Sequence, residues 1–279
     1  KEINEIKEII SSIRQNKFES STEIFLSKYL DKLENEIKQM FEKTKSDIEY
    51  LERLQKMRSQ FLANVSHELR TPIFAIQGYI ETLLNGALND PKVNKHFLEK
   101  AEHHTVNLSN LLNDLIDISM IESGEMRMSY RYFDISDFIK NIVNEFSLIA
   151  EEKNIQIIFN PPNTGLQVFG DKERLRQVFV NLIQNAIKYT DEGNVEILLE
   201  EEKKSVNINV IDTGIGIPQE DIDRIFERFY RVDKARSKAV GGTGLGLAIV
   251  KHIIDAHSSK IIVESVYGKG SRFSFKLKK

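Results

Sequence analysis

Apolar residues recur at helical spacing over the opening part of the chain and then give way to short alternating runs mixed with longer amphipathic ones. Leu26, Leu30, Leu33, Ile37 and Met40 step by 4, 3, 4 and 3, the a/d seam of a coiled coil, and such a seam needs a partner helix to cover it. The next step, from Met40 to Ile48, is eight residues. It inserts an extra four into the rhythm and locally unwinds a supercoil. Upstream, Ile3, Ile6, Ile9, Ile10 and Ile13 mark a short amphipathic helix, and Asn16 to Thr22 is a polar connector. The helical pattern runs to about Gly86 with Pro72 as its only proline.

A second helix follows the polar loop from Asn85 to Pro91. Phe97, Ala101, Leu108, Leu111, Leu112, Leu115, Ile118 and Ile121 fall mostly three or four apart and stop at Ser123-Gly124, where glycine ends a helix readily. A two-helix hairpin buries only one side of each helix, so pairing into a dimeric four-helix bundle is the simplest way to cover both stripes. Beyond Tyr130 the period changes. Ile155–Phe159, Val195–Leu199, Val206–Ile211, Lys260–Ser265 and Ser271–Leu277 read as strands, and Ser136–Glu152, Asp171–Tyr189 and Gly244–His257 as helices. Several adjacent strands mixed with helices predict an α+β sandwich and not a doubly wound parallel sheet.

Composition narrows the function classes. The 279 residues are too many for one ordinary core, and 39 basic against 42 acidic side chains leave a net charge of −3, too balanced for a general nucleic-acid binder. The absence of cysteine excludes disulfides, thiolate metal sites and cysteine nucleophiles and fits a reducing compartment. No apolar run is long enough to cross a bilayer. The chain opens at Lys1 inside a helical pattern, as a cytoplasmic piece cut from a longer protein would, with any membrane link in a missing upstream segment.

Glycine is concentrated where chemistry is expected. Asp212-Thr-Gly214-Ile-Gly216-Ile-Pro218 follows a strand, and Gly241-Gly242-Thr243-Gly244-Leu245-Gly246 opens a helix. Glycines ahead of a helix leave bare amides and the positive end of the dipole facing an anion, and phosphate is the obvious one. A third element, Asn181-Leu-Ile-Gln-Asn185-Ala-Ile-Lys188-Tyr189, puts Asn181, Asn185 and Lys188 on one helix face. Amide oxygens suit a hard cation such as Mg²⁺ that keeps nucleotide phosphates as further ligands, and lysine offsets phosphate charge. A solvated polar face is the alternative when that helix is taken alone.

Together these segments resemble the histidine kinases. Asn181–Tyr189 is similar to their N box, Asp212–Pro218 to the first glycine box, Phe226–Arg231 to the F box and Gly242–Leu247 to the second glycine box, in the family's order. The resemblance covers about residues 60–279 and implies the ATP-binding α/β sandwich shared by gyrase, Hsp90, histidine kinases and MutL. It further implies Asn185 as the Mg²⁺ ligand and Asn181 beside the metal or its waters. Lys188 and Arg231 would lie near phosphates, Tyr189 against adenine, and Asp212 would accept from the adenine amino group. Gly214 and Gly216, with Gly242 to Gly246, would supply backbone to the nucleotide, and about Arg231 to Gly242 would be a lid.

Phe61 to Ile73 resembles the family's H box, which separates histidine kinases from their ATPase relatives. A neutral imidazole is a competent nucleophile near neutral pH, and a neighbouring carboxylate on one ring nitrogen frees the other to attack; His67 and Glu68 are that pair. Thr71, one turn on, matches the position at which a polar residue orients water for removing phosphate from the partner. His96, His103, His104, His252 and His257 read as surface or packing residues. Pro72 removes a helix bond and crowds the Glu68 carbonyl at about 3 kcal/mol, either a static kink or a bend between kinase and phosphatase states. Phe74, Gly78, Tyr79 and Thr82 fall where the family selects its response-regulator receiver domain, bundle core being the alternative.

Three parts are therefore expected. Residues 1–56 form a signalling helix or coiled coil, with a loose likeness to the relay module called HAMP. Residues 57–126 form the dimerisation and phosphotransfer domain, and 130–279 the catalytic domain. The resemblance implies a homodimer that phosphorylates His67 from Mg-ATP and passes the phosphoryl group to a receiver-domain aspartate. A clamp-type ATPase and a non-enzymatic scaffold are the rivals, opposed by the H box and by the intact Asn185, Asp212 and glycine segments respectively. Gly78 to Gly86 looks most like sensors of the phosphate-regulon type. One departure is His257-Ser258-Ser259, where many members carry a glycine pair.

Overall fold

The computed structural model describes residues 2–15, 17–162, 165–232 and 242–279. Its contacts separate into two compact units, Lys1–Ser66 and His67–Lys279. In the first, helix α1 (Glu2–Arg14) precedes a connector and the opening of the long helix α2 (Asp31–Leu84). Lys45 Nζ donates to the Glu19 carbonyl at 2.7 Å, the Ser21 amide to Glu42 Oε1 at 3.3 Å and the Leu26 amide to Glu34 Oε2 at 2.7 Å. The connector therefore runs backwards along α2. Ile9 of α1 packs with Ile24, Leu26 and Ile37, flanked by Ile6, Ile13, Leu33 and Phe41, so α1 lies parallel to the first turns of α2.

This corrects the expected coiled-coil seam at its start. Leu26 and Leu30 precede α2, which begins at Asp31. Around them burial alternates: Ile24 is buried, Phe25 exposed and Leu26 buried. A period of two is that of an extended segment, and its match to the helical series over so short a stretch was coincidental. Met40 and Ile48 are both exposed.

In the second unit α2 continues unbroken through Pro72, and α3 (Asn94–Glu122) ends at Gly124, whose φ of +70° suits a left-handed helix stop. Across the hairpin Tyr79 stacks on His104 and packs at a tilt against Phe97, each at 5.9 Å between ring centroids. Ile73, Phe74, Ile80, Val106, Leu112, Ile116 and Met120 stand exposed in the single chain. None of the described helices is long and apolar enough to cross a membrane.

The remainder is a seven-stranded mixed sheet under three helices. The strands are β1 (Tyr130–Asp134), β2 (Ile155–Phe159), β3 (Gln167–Asp171), β4 (Gly193–Glu201), β5 (Ser205–Asp212), β6 (Ile262–Val266) and β7 (Gly270–Lys278). Their order is β1-β3-β7-β5-β4-β2, with β6 beside β7, and only β2 and β4 pair in parallel. Helices α4 (Ile135–Glu152), α5 (Lys172–Tyr189) and α6 (Gly246–Ala256) cover one face. Alternation along β5 sends Val206, Ile208 and Val210 inward, where Phe138, Phe179 and Phe275 stack edge to face at 5.8 Å. Asp134 caps α4 by accepting from the Ser136 and Asp137 amides, and Asp171 caps α5 by accepting from Arg174. The predicted α+β sandwich is the observed fold, with β1 and β3 added to the strands read from sequence.

Candidate functional site

One cleft in the sandwich gathers six of the residues singled out from sequence, Asn185, Lys188, Tyr189, Asp212, Gly216 and Arg231. Asn185, Lys188 and Tyr189 enter it from the last turns of α5, Asp212 and Gly216 from the end of β5 and the loop after it, and Arg231 from the segment before α6. Ile215, Ile217, Ile225, Leu247 and Phe273 supply apolar walls, and Tyr230 and Tyr267 add aromatic ones. A flat heterocycle fits such a lining, because π faces and branched side chains give area while a few polar groups set orientation.

Asp212 is that polar group at the apolar end. The strand pairing of β5 with β7 sets it opposite Ser271, and its Oδ1 accepts from the Gly214 amide at 2.9 Å. Burial pushes its carboxyl above the ordinary range, against the pull of the Gly214 and Ser271 amides. Either protonation state leaves an oxygen able to accept from an exocyclic amine. The opposite end is cationic. Burial, with Arg231 and Lys153 nearby, lowers Lys188 to about 8, and its ammonium lies 4.9 Å from the centre of the Tyr189 ring. An anion there relieves the crowding of like charge.

The glycines work by closeness. A side-chain carbon on Gly242, whose φ is +125°, would fall 2.5 Å from Lys188 Nζ, and one on Gly246 would fall 2.5 Å from Asn181 Oδ1. At Gly242 the positive φ itself calls for glycine, and at Gly246 a side chain would have to displace Asn181. The loop before α6 is thus laid across the N-box helix, although Gly242, Thr243, Gly244, Leu245 and Gly246 do not line the cleft themselves. Asn181 sits a turn back from Asn185, its Nδ2 donating to the Gln177 carbonyl at 3.0 Å. Gly214 packs under the Tyr189 carbonyl and Asp212. The lid expected at about Arg231 to Gly242 lies, from Asp233 to Gly241, outside the described residues.

Asn185 brings an amide oxygen, a hard donor, to the cleft that Lys188 and Arg231 also line. Among the described residues no three His, Asp or Glu side chains cluster to hold a metal. The donor set therefore fits an ion that takes most of its ligands from water and a bound nucleotide.

His67, Glu68 and Thr71 form a separate group on α2. The His67 side chain is 68% exposed, open to an incoming phosphoryl donor, and Glu68 Oε1 lies 3.5 Å from its Nδ1. Thr71 donates its hydroxyl to the His67 carbonyl at 3.4 Å. Of the candidate partner contacts, Phe74, Gly78 and Thr82 are exposed and Tyr79 is half-buried. Among the other histidines, His257 is buried: its Nε2 accepts from the Asp171 amide at 2.9 Å and its Nδ1 faces the Ile253 carbonyl at 2.7 Å, tying the end of α6 to the start of α5. Ser258 takes a φ of +56°, a conformation that favours glycine.

Sequence reasoning missed Asp191, Tyr267, Ser271 and Phe273 as lining residues. The strand pattern flagged Ser271 to Leu277, but which of those residues reach the cleft follows from the pairing of β7 with β5, which leaves no local signal.

Two family models match the chain. His Kinase A (phospho-acceptor) domain matches residues 57–124, and Histidine kinase-, DNA gyrase B-, and HSP90-like ATPase matches residues 170–279. Sensor histidine kinase WalK of Bacillus subtilis is 38% identical over 234 residues, 83% of this chain and 38% of that one. The phosphate regulon sensor protein PhoR of Pseudomonas aeruginosa is 38% identical over 232 residues, 82% of this chain and 52% of that one. The chain thus spans about half or less of the length of these curated relatives. Among solved structures, Acinetobacter baumannii histidine kinase AdeS is 30% identical, with a TM-score of 0.62 over 76% of this chain and 97% of that one. Histidine kinase ThkA in complex with response regulator protein TrrA is 30% identical, with a TM-score of 0.64 over 85% of this chain and 66% of that one.

Proposed function

This chain belongs to the sensor histidine kinase family, and from that premise we propose that it binds Mg-ATP in the α/β cleft, phosphorylates His67, and passes the phosphoryl group to a response-regulator aspartate. The observation that carries this is the convergence of Asp212, Asn185, Lys188 and Arg231 on one cleft in a chain that also presents an exposed histidine beside a carboxylate. Adenine lies between the apolar walls with its amino group on Asp212 and its edge against Tyr189. Lys188 and Arg231 take the phosphates, with the Gly242–Gly246 amides at the mouth of α6. Asn185, with Asn181 behind it, holds Mg²⁺, which when bound offsets charge on the phosphate oxygens.

Glu68 holds the proton of His67 on Nδ1 and leaves the Nε2 lone pair facing outward. That lone pair attacks the γ-phosphorus in line. The Nε2–P bond forms, the bond to the bridging oxygen breaks, ADP departs with the electron pair, and the positive charge left on the ring is balanced by Glu68. Positioning and charge neutralisation do most of the work, since phosphoryl transfer asks little covalent chemistry of the protein. The phosphohistidine then donates to an aspartate of a receiver domain docked over Phe74, Gly78, Tyr79 and Thr82. Thr71 orients water for the phosphatase reaction, in which that water attacks the phosphorus of the partner's aspartyl phosphate, the bond to the carboxylate oxygen breaks, and inorganic phosphate leaves. The response regulator held by ThkA supports a partner of this class.

The chain acts as a homodimer, which covers the exposed stripes of α2 and α3. Residues 1–56 relay a signal, 57–126 dimerise and carry the phosphoacceptor, and 130–279 hold the nucleotide. The parallel α1 and α2 with a returning connector support the HAMP-like reading of the relay.

A titration with a non-hydrolysable ATP analogue and Mg²⁺, followed by a phosphotransfer assay, tests this reading. The intact chain is expected to bind, and Asp212→Ala and Asn185→Ala are each expected to lose roughly 10- to 100-fold in affinity or in transfer. Unchanged binding and transfer in both variants would remove the cleft from the reaction.

A further inference from the structure

Helix α3 faces the catalytic domain with three acidic side chains, and each is engaged. Asp117 accepts from Arg174 Nη1 at 2.7 Å and from Gln177 Nε2 at 2.6 Å, both on α5. Glu122 accepts from Arg228. Asp114 Oδ2 accepts from the Thr243 hydroxyl at 3.2 Å. The Arg174–Asp117 pair is largely screened from solvent, with side chains 24% and 16% exposed, so it counts for more than a surface ion pair.

The Thr243 contact differs from the other two because of what else that hydroxyl does. It has one proton, given to Asp114, and its oxygen accepts from the Leu245 amide at 3.2 Å. Leu245 is the residue at the mouth of α6, and its amide is one of the bare donors that a helix start offers to a phosphate. Asp114 sets the direction of the hydroxyl proton, and that direction aims the oxygen lone pairs at Leu245. A phosphate oxygen cannot use the same amide until Thr243 turns away. Once it turns, the bond to Asp114 is lost, and a carboxylate stands close to an incoming polyanion.

We propose that the chain Asp114–Thr243–Leu245 is a brake on nucleotide loading: the phosphate-binding loop is either tethered to the phosphoacceptor hairpin or open to phosphate, and not both. The proposal rests on the nucleotide reading of the cleft and adds a coupling to it. Coupling of this kind is reciprocal, so nucleotide frees the catalytic domain from α3 just as release from α3 favours nucleotide. Asp117 and Glu122 set how firmly the domain is held, and Asp114 turns that hold into occupancy of Leu245. Asp114 is also poised to respond to its surroundings, since burial and the nearby Asp117 raise its carboxyl to about 6.

The experiment uses the whole chain and measures the Kd of Mg-ADP for the unaltered protein, Asp114→Ala, Asp114→Asn and Asp117→Ala. Asp114→Ala removes the acceptor and is expected to bind roughly five- to twentyfold more tightly. Asp117→Ala loosens the same docking without touching the loop and is expected to shift in the same direction. Asp114→Asn keeps an oxygen for Thr243 and is expected to stay nearer the unaltered protein than the alanine variant. In parallel, Mg-ADP is expected to speed proteolysis of the unaltered chain between Glu125 and Ser129, the link between α3 and the sheet. Equal or weaker binding in both alanine variants, with the unaltered chain binding normally, would overturn the brake and leave the nucleotide site standing. Absence of Mg-ADP binding in all four proteins would overturn the site and the brake together.

Discussion

Lys188 is a lysine whose charge is conditional. Its ammonium sits among buried groups and other cations and gives up its proton near pH 8, whereas an exposed lysine keeps its proton about two units further. Below that pH the site is fully charged and ready for phosphate; as pH rises through it, the charge is lost from the free protein. Affinity for Mg-ATP is therefore expected to weaken between about pH 7 and about pH 9.5, by at most roughly tenfold per pH unit. Lys188→Met is expected to bind roughly 10- to 100-fold more weakly below that range, having lost a charged hydrogen-bonding partner. Isothermal titration from about pH 6 to about pH 9.5 measures both, and an Mg-ATP affinity that is flat with pH in the unaltered protein would separate Lys188 from the phosphates. His67 works on other terms, being exposed and set beside a single carboxylate, where what counts is which nitrogen holds the proton.

At the scale of elements, the end of α6 offers a direct check on backbone cost. Ser258 donates its amide to Asp255 and Ser259 to Ile254, a helix stop that wants glycine at the left-handed position; serine holds it at φ +56°. Ser258→Gly is expected to stabilise the catalytic domain by up to about 1 kcal/mol, read as a higher denaturation midpoint; a lower midpoint would mean that the serine side chain contributes something glycine cannot. That turn was legible in the sequence as a departure from the family pattern. So were α3, α4 and α5, because ten or more residues of apolar periodicity outweigh a few exceptions. Strands β1 and β3 were not legible. β1 buries only Phe133, too little alternation to read, and β3 ends in Gly170-Asp171, which signals the start of α5. Leu26 fooled the helical count because a few residues at period two satisfy a 3/4 step by chance. The polar half of the cleft was read from Asn185, Lys188 and Asp212 because each sits in a compact motif, while Tyr267 and Phe273 reach it only through the register of β6 and β7.

For the whole molecule, the exposed apolar stripes of α2 and α3 ask for a second copy. Contiguous apolar surface of this kind is a liability in a monomer, and a hairpin pair hides it. The intact chain is expected to sediment as a dimer. Leu112→Glu combined with Ile116→Glu, two positions exposed in the single chain, is expected to give a folded monomer by sedimentation and circular dichroism. A monomeric unaltered chain would contradict the bundle.

The claim on which the rest depends is that the cleft serves His67. Incubating the chain with γ-labelled ATP and Mg²⁺, alongside His67→Ala, and then testing the label in acid and in base, addresses it directly. The expected result is a label stable in base and lost in acid, present in the intact chain and absent from His67→Ala. Label that persists in His67→Ala, or that survives acid, would contradict the assignment of His67 as the phosphoacceptor.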